Sequence, residues 1–105
     1  MSDSFNDREK GYEAKWAHDE ELRFRIYSRR NRMLGHWAAE KMGMNSAEAD
    51  AYAAQIITAS DEAIFSRIRH DFDAHSVTIS DHMIRREMEE LLASAKTQVE
   101  QDHKK

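Results

Sequence analysis

The sequence predicts an all-α protein, a small four-helix bundle with a mobile N-terminal arm. Three observations lead there. The 105 residues contain no proline and only three glycines, which favours helices with short connections over a turn-rich β fold. Apolar residues recur at helical spacing in separate stretches along the chain. Helix-starting residues fall between those stretches, at Asn45, Ser60 and Ser80. The expected division is an arm over 1–19, a bundle over 20–102 and a frayed tail over 103–105. With 40% hydrophobic and 34% charged residues, the core must be small and the helix faces heavily charged.

The arm, MSDSFNDREKGYEAKWAHD, is too polar for a core yet carries Phe5, Tyr12 and Trp16. Their spacing of seven and four places them on one helical face. Gly11 weakens such a helix by ~1 kcal/mol relative to alanine. A short helix with one narrow stripe is marginal in water, and a groove that accepts the stripe stabilises it. The segment reads as an arm that needs a partner.

The first body helix is expected from about Asp19 to Met42, with the stripe Leu22, Ile26, Met33 and Trp37. That stripe is centred roughly 70° around the helical wheel from the arm's stripe, so one continuous helix cannot bury both against one surface. Gly43 sits where a left-handed helix-ending residue is wanted. Asn45 with Glu48 resembles a capping box that opens a second helix. That helix holds Ala47, Ala49, Ala51, Ala53 and Ala54 with Tyr52, Ile56 and Ile57, and is expected deep in the bundle. Ser60-Asp61-Glu62 starts a third, with carboxylates near the positive end of the helix dipole and the row Ile64, Phe65, Ile68, Phe72. The β-prone run 74–79 breaks the pattern as a loop or short extended piece. Ser80-Asp81 caps the last helix, whose stripe is Ile84, Met88, Leu91, Leu92, Ala95 and Val99. Gln101 to Lys105 is expected to fray.

Several function classes are disfavoured. The net charge of −4 argues against general nucleic-acid binding. The absence of cysteine excludes disulfides, a thiol nucleophile and thiolate zinc sites. No run approaches the ~18 apolar residues of a membrane span, and the N-terminus lacks the apolar stretch of a signal peptide, so a soluble intracellular protein is expected. His70-Asp71-Phe72-Asp73-Ala74-His75 offers metal-ligand types. On a helix, however, the two histidines point about 140° apart and match no zinc spacing, so no metal site is expected. Tyr52 and Glu48 lie one turn apart and read as structural. With no nucleophile–base–orienter set, an enzyme is not expected.

Arg23, Arg25, Arg29, Arg30 and Arg32 form the sharpest charge feature. Arg25, Arg29 and Arg32 share one face. They read either as a solvated face balanced by acids on other helices, such as Glu87, Glu89 or Glu90, or as an anion-binding row for a phosphate or an acidic protein surface. His18 and His36 flank the arginines and, as histidines, are a candidate pH switch.

The blocks FNDREKGYEAKWAHDEELRFR, SRRNRMLGHWAAEKMG and ISDHMIRREMEELLASAK, in that order, resemble the ζ subunit family of α-proteobacterial F-type ATP synthases. The resemblance covers Phe5 to about Gln98. It implies a small helical bundle with a mobile N-terminal segment that enters a catalytic α/β interface near the central rotor and inhibits ATP hydrolysis. The implied partners are the α, β and γ subunits of the catalytic head. The implied location is cytoplasmic, peripheral at the inner membrane through ATP synthase, with a monomer when free. The matching inhibitory block is Phe5, Asn6, Asp7, Arg8 and Lys10, then Tyr12, Lys15, Trp16 and His18. Phe5, Tyr12 and Trp16 would be buried anchors, and Arg8, Lys10 and Lys15 would steer and fix register. Asn6 and Gly11 depart from the family pattern toward lower helicity. No cofactor is expected. The alternatives are weak adenine-nucleotide binding on Arg25, Arg29 and Arg32, and an adaptor with little inhibitory activity.

Overall fold

The computed structural model describes residues 20–104, with side-chain surroundings through residue 102. Four helices make up this part: α1 (Glu20–Lys41), α2 (Ser46–Ile56), α3 (Asp61–Ala74) and α4 (Asp81–Lys104). The all-α bundle expected from the sequence is the fold. The arm, residues 1–19, lies outside the described residues.

Local chemistry sets each helix end. Gly43 adopts φ +77°. Its amide reaches the Glu40 carbonyl at 3.0 Å and the Met44 amide reaches that of Ala39 at 3.0 Å. These two bonds close α1 in a Schellman motif. The Asn45 side chain accepts from the Glu48 amide at 2.8 Å, while the Glu48 carboxylate accepts from the Asn45 amide at 2.9 Å. The capping box is complete. The hydroxyls of Ser60 and Ser80 accept from the amides of Ala63 and Met83, both at 3.2 Å. α3 ends in a second Schellman motif in which Ser76, not glycine, takes the left-handed position at φ 57°. The Val77 amide there reaches the Phe72 carbonyl at 2.8 Å.

The interior divides in two. The main cluster joins the second half of α1 to α2, α3 and the first half of α4, and holds Leu34, Ile56, Ile64, Ile68, Phe72 and Ile84. Trp37 packs its ring against Phe72 at 5.6 Å between centroids. A smaller cluster, Ile26, Ala95 and Val99 with Leu22, Met33 and Leu92 against it, uses α1 and α4 alone. The N-terminal half of α1 and the C-terminal half of α4 thus form a two-helix stalk on a four-helix base. The expected α1 stripe is split between the two, with Trp37 on the base and the others on the stalk.

Two expectations need correction. Only Ala49 and Ala53 of the α2 alanines are buried, because the other three face solvent on a helix covered along one side. Leu91 and Leu92 are half-buried, since they flank the α4 seam that Met88, Ala95 and Val99 fill. α4 extends to Lys104, and Asp102 in its last turns pairs with Arg29 at 3.1 Å.

Close approach of α1 and α2 depends on Gly35. A Cβ placed there would lie 2.6 Å from the Ala53 Cα and 2.8 Å from its Cβ. α2 is tied to α3 by Tyr52, whose hydroxyl donates to the Asp71 carboxylate at 2.7 Å. Arg67 donates to the same oxygen at 2.9 Å and lies over the Tyr52 ring. Burial, and then the bond to Asp71, push the Tyr52 phenol well above its ordinary pKa.

Candidate functional site

α1 turns its core row toward α4 and α2, which leaves another face open beside the α2–α3 connection. There a cleft of about 410 Å³ lies between Arg23, Phe24, Tyr27 and Asn31 on one side and the stretch from Ile57 to Asp61 on the other. Phe24 is 61% exposed, the most exposed large hydrophobic side chain among the described residues. Its place off the core stripe is the sequence signal of this open face.

Asn31 lines this cleft, and its neighbour Arg30 is buried and holds the lining residue Asp61. Arg30 is 1% exposed and is fully engaged. Its Nε donates to Asn31 Oδ1 at 2.8 Å, Nη1 donates to the Met88 carbonyl at 3.2 Å, and Nη2 donates to the Asp61 carboxylate. Asn31 Nδ2 donates to the Ile57 carbonyl at 2.7 Å, which pins the α2–α3 connection to α1. The guanidinium carbons of Arg23 and Arg30 lie 5.9 and 5.3 Å from the Tyr27 ring centroid. A buried cation, its carboxylate and an aromatic ring thus form one fixed unit, within reach of cation–π attraction. Sequence reading counts Arg30 in the charged run without marking it as buried. Its signal is its place in the row Ile26–Arg30–Leu34, four residues from a buried side chain on each side.

The arginine row is treated differently at each member. Arg25 pairs with Glu21 at 3.1 Å. Arg29 pairs with Asp102 at 3.1 Å and reaches Gln98 Oε1 at 3.4 Å. Arg32 is exposed and has no ion pair among the described residues. The balancing acids are therefore Glu21 and Asp102 instead of Glu87, Glu89 or Glu90, because long α1 side chains lean back toward the helix N-terminus, where the end of α4 lies.

The histidine-rich stretch is committed to structure. Asp71 serves Tyr52 and Arg67, Asp73 accepts from Arg69 at 2.8 Å, and a His75 ring nitrogen lies 2.9 Å from the Asp71 carbonyl oxygen. Among the described residues no three histidine, aspartate or glutamate side chains converge as metal ligands do. Glu48, paired with Tyr52 in the sequence reading, serves the capping box. His36 meets Asp50 at 3.2 Å across α1 and α2. Phe5, Asn6, Asp7, Arg8, Lys10, Tyr12, Lys15, Trp16 and His18 lie outside the described residues. No described helix is long and apolar enough to cross a membrane.

The family model described as ATPase inhibitor subunit zeta matches residues 1–98. The chain belongs to that family. Its description makes ATPase inhibitor subunits of its members, a regulatory role. The match takes in residues 1–19, the first three helices and most of α4. A comparison with curated proteins finds no match.

Proposed function

We propose that this zeta-family chain restrains ATP hydrolysis by an F-type ATP synthase, its arm entering an α/β catalytic interface of the head and blocking rotation. One observation supports the reading: the family model described as ATPase inhibitor subunit zeta matches residues 1–98, a span that includes Phe5, Tyr12 and Trp16. In this reading Phe5, Tyr12 and Trp16 are the anchors that fill the groove. Arg8, Lys10 and Lys15, with Asn6, Asp7 and His18 beside them, fix approach and register through charge and hydrogen bonding. The chain performs no chemistry of its own and uses no cofactor. The α, β and γ subunits of the head are its partners, and the complex holds it in the cytoplasm at the inner membrane. The bundle docks outside the groove and raises the effective concentration of the arm. Ordering the arm on binding costs several kcal/mol, so inhibition is reversible.

Titrating ATP hydrolysis by the cognate catalytic head with the full chain, and with a version lacking residues 1–19, tests this. Inhibition by the first alone is expected. Equal inhibition by both would place the effect in the bundle and refute the arm's role. The alternative of weak adenine-nucleotide binding on Arg25, Arg29 and Arg32 asks phosphates to compete with Glu21 and Asp102 for two of the three arginines. Amide shifts of those residues at millimolar nucleotide would favour it.

A further inference from the structure

The arm's aromatic row does not stop at Trp16. Phe5, Tyr12, Trp16, Arg23 and Tyr27 are spaced seven, four, seven and four residues apart. At 100° per residue, Arg23 and Tyr27 lie within about 20° of the direction of Trp16 on a common helix. In α1 these two side chains form one surface, the guanidinium of Arg23 5.9 Å from the Tyr27 ring centroid. Both line the cleft, and the exposed Phe24 flanks them. The core row of α1 is turned elsewhere, toward α4. In sequence, the aromatic row thus continues in phase into the side chains that rim the cleft.

We propose that the surface contacting the ATPase head continues from the arm onto the folded body, and that the cleft rimmed by Arg23, Phe24 and Tyr27 receives a segment of that same head. The inference rests on the proposed inhibitory role. The chemistry fixes the character of the occupant: an apolar side chain against Phe24 and Tyr27, and a carboxylate for Arg23. The Asp61 carboxylate in the cleft is held by Arg30, which leaves Arg23 as the cation of the opposite wall. Aromatic and arginine side chains that join a rigid wall make strong interface anchors. The lining here is tied down by hydrogen bonds, Asn31 to the Ile57 carbonyl and Asp61 to the buried Arg30, which also bonds the Met88 carbonyl.

The test uses the full chain and the isolated catalytic head, with ATP hydrolysis as readout. Arg23→Glu and Phe24→Ser change exposed residues and should leave helical content intact. Each is expected to raise the half-inhibitory concentration tenfold or more. Lys41→Glu, at the other end of α1, is expected to leave it within twofold. Inhibition by all four proteins at the same concentration would overturn the inference while leaving the arm's role standing. A wild-type chain that does not inhibit would remove the inhibitory reading and this one with it. Amide exchange in the wild-type complex reads the same surface without substitution. Slowed exchange at Thr58 and Ala59 on binding the head is expected, and unchanged exchange there overturns the inference. Protection of those amides by nucleotide without the head would assign the cleft to a small molecule and overturn it as well.

Discussion

Gly35→Ala is the most discriminating single substitution for the packing of the base. A methyl group at this position meets the Ala53 Cα at 2.6 Å and its Cβ at 2.8 Å. Ordinary carbon–carbon separation is ~3.5–4.0 Å, so α1 and α2 must move apart by about 1 Å or more along this line. Part of the obstacle is backbone, and no rotamer change relieves it. Such movement would loosen Leu34, Ala38, Ala39, Tyr52 and Ile56, all buried in the same cluster. Overpacking of this kind costs ~1–3 kcal/mol. Alanine in place of glycine in a helix returns ~1 kcal/mol. The expected net is a destabilisation of up to ~2 kcal/mol, or a fall of up to several degrees in Tm for a domain of this size. Urea unfolding followed by circular dichroism measures it. The companion Gly35→Ala/Ala53→Gly removes the clash with the residue 53 methyl but keeps the clash with the backbone carbon beneath it, so only partial rescue is expected. A single variant more stable than wild type by ~1 kcal/mol would show that propensity governs the site, and would refute the close-approach argument.

Four further outcomes are expected. Asn45→Ala opens the capping box and should cost ~0.5–2 kcal/mol in the same unfolding assay. Ser76→Gly should stabilise the chain by up to ~1 kcal/mol, because the left-handed position that closes α3 then carries no Cβ. Ile84→Ala should cost ~2–5 kcal/mol at a fully buried site, and Leu91→Ala clearly less at a half-buried one. Tyr52 supplies a pH dependence. Its folded pKa is raised by burial and by Asp71, so its contribution is fully present below the unfolded tyrosine pKa of ~10. Above that pH the unfolded phenol ionises while the folded one keeps its proton, and stability falls toward the raised folded value. Unfolding measured from neutral pH to above pH ~10 should show that decline, and Tyr52→Phe should flatten it.

The helix ends were legible because each is written in a few adjacent residues. Gly43, the Asn45–Glu48 pair, Ser60 and Ser80 act on groups no more than four positions away, which one sequence displays directly. The apolar rows were legible for the same reason, as period 3.6 is a local property. What the sequence hid depends on meetings between distant segments. Arg30 looks like one more member of a charged run until Asp61 and the Met88 carbonyl are brought to it. Gly35 looks like a mild helix weakener until Ala53 arrives. The cleft face was obscured similarly: Arg23 and Tyr27 extend the arm's row, but only the fold shows which side of α1 remains uncovered.

The division of the interior has a mechanical consequence. A pull arriving at Glu20 meets first an interface of three buried and three half-buried side chains shared by two helices. Only beyond Arg30 does it reach the larger cluster drawn from all four. Sub-global opening follows local packing density, so the free energy of local opening rises along α1 from its first turn to its last. The bundle behaves as a stiff mount carrying a compliant lever. Displacement applied at Glu20 is absorbed in the stalk, and the base keeps its packing.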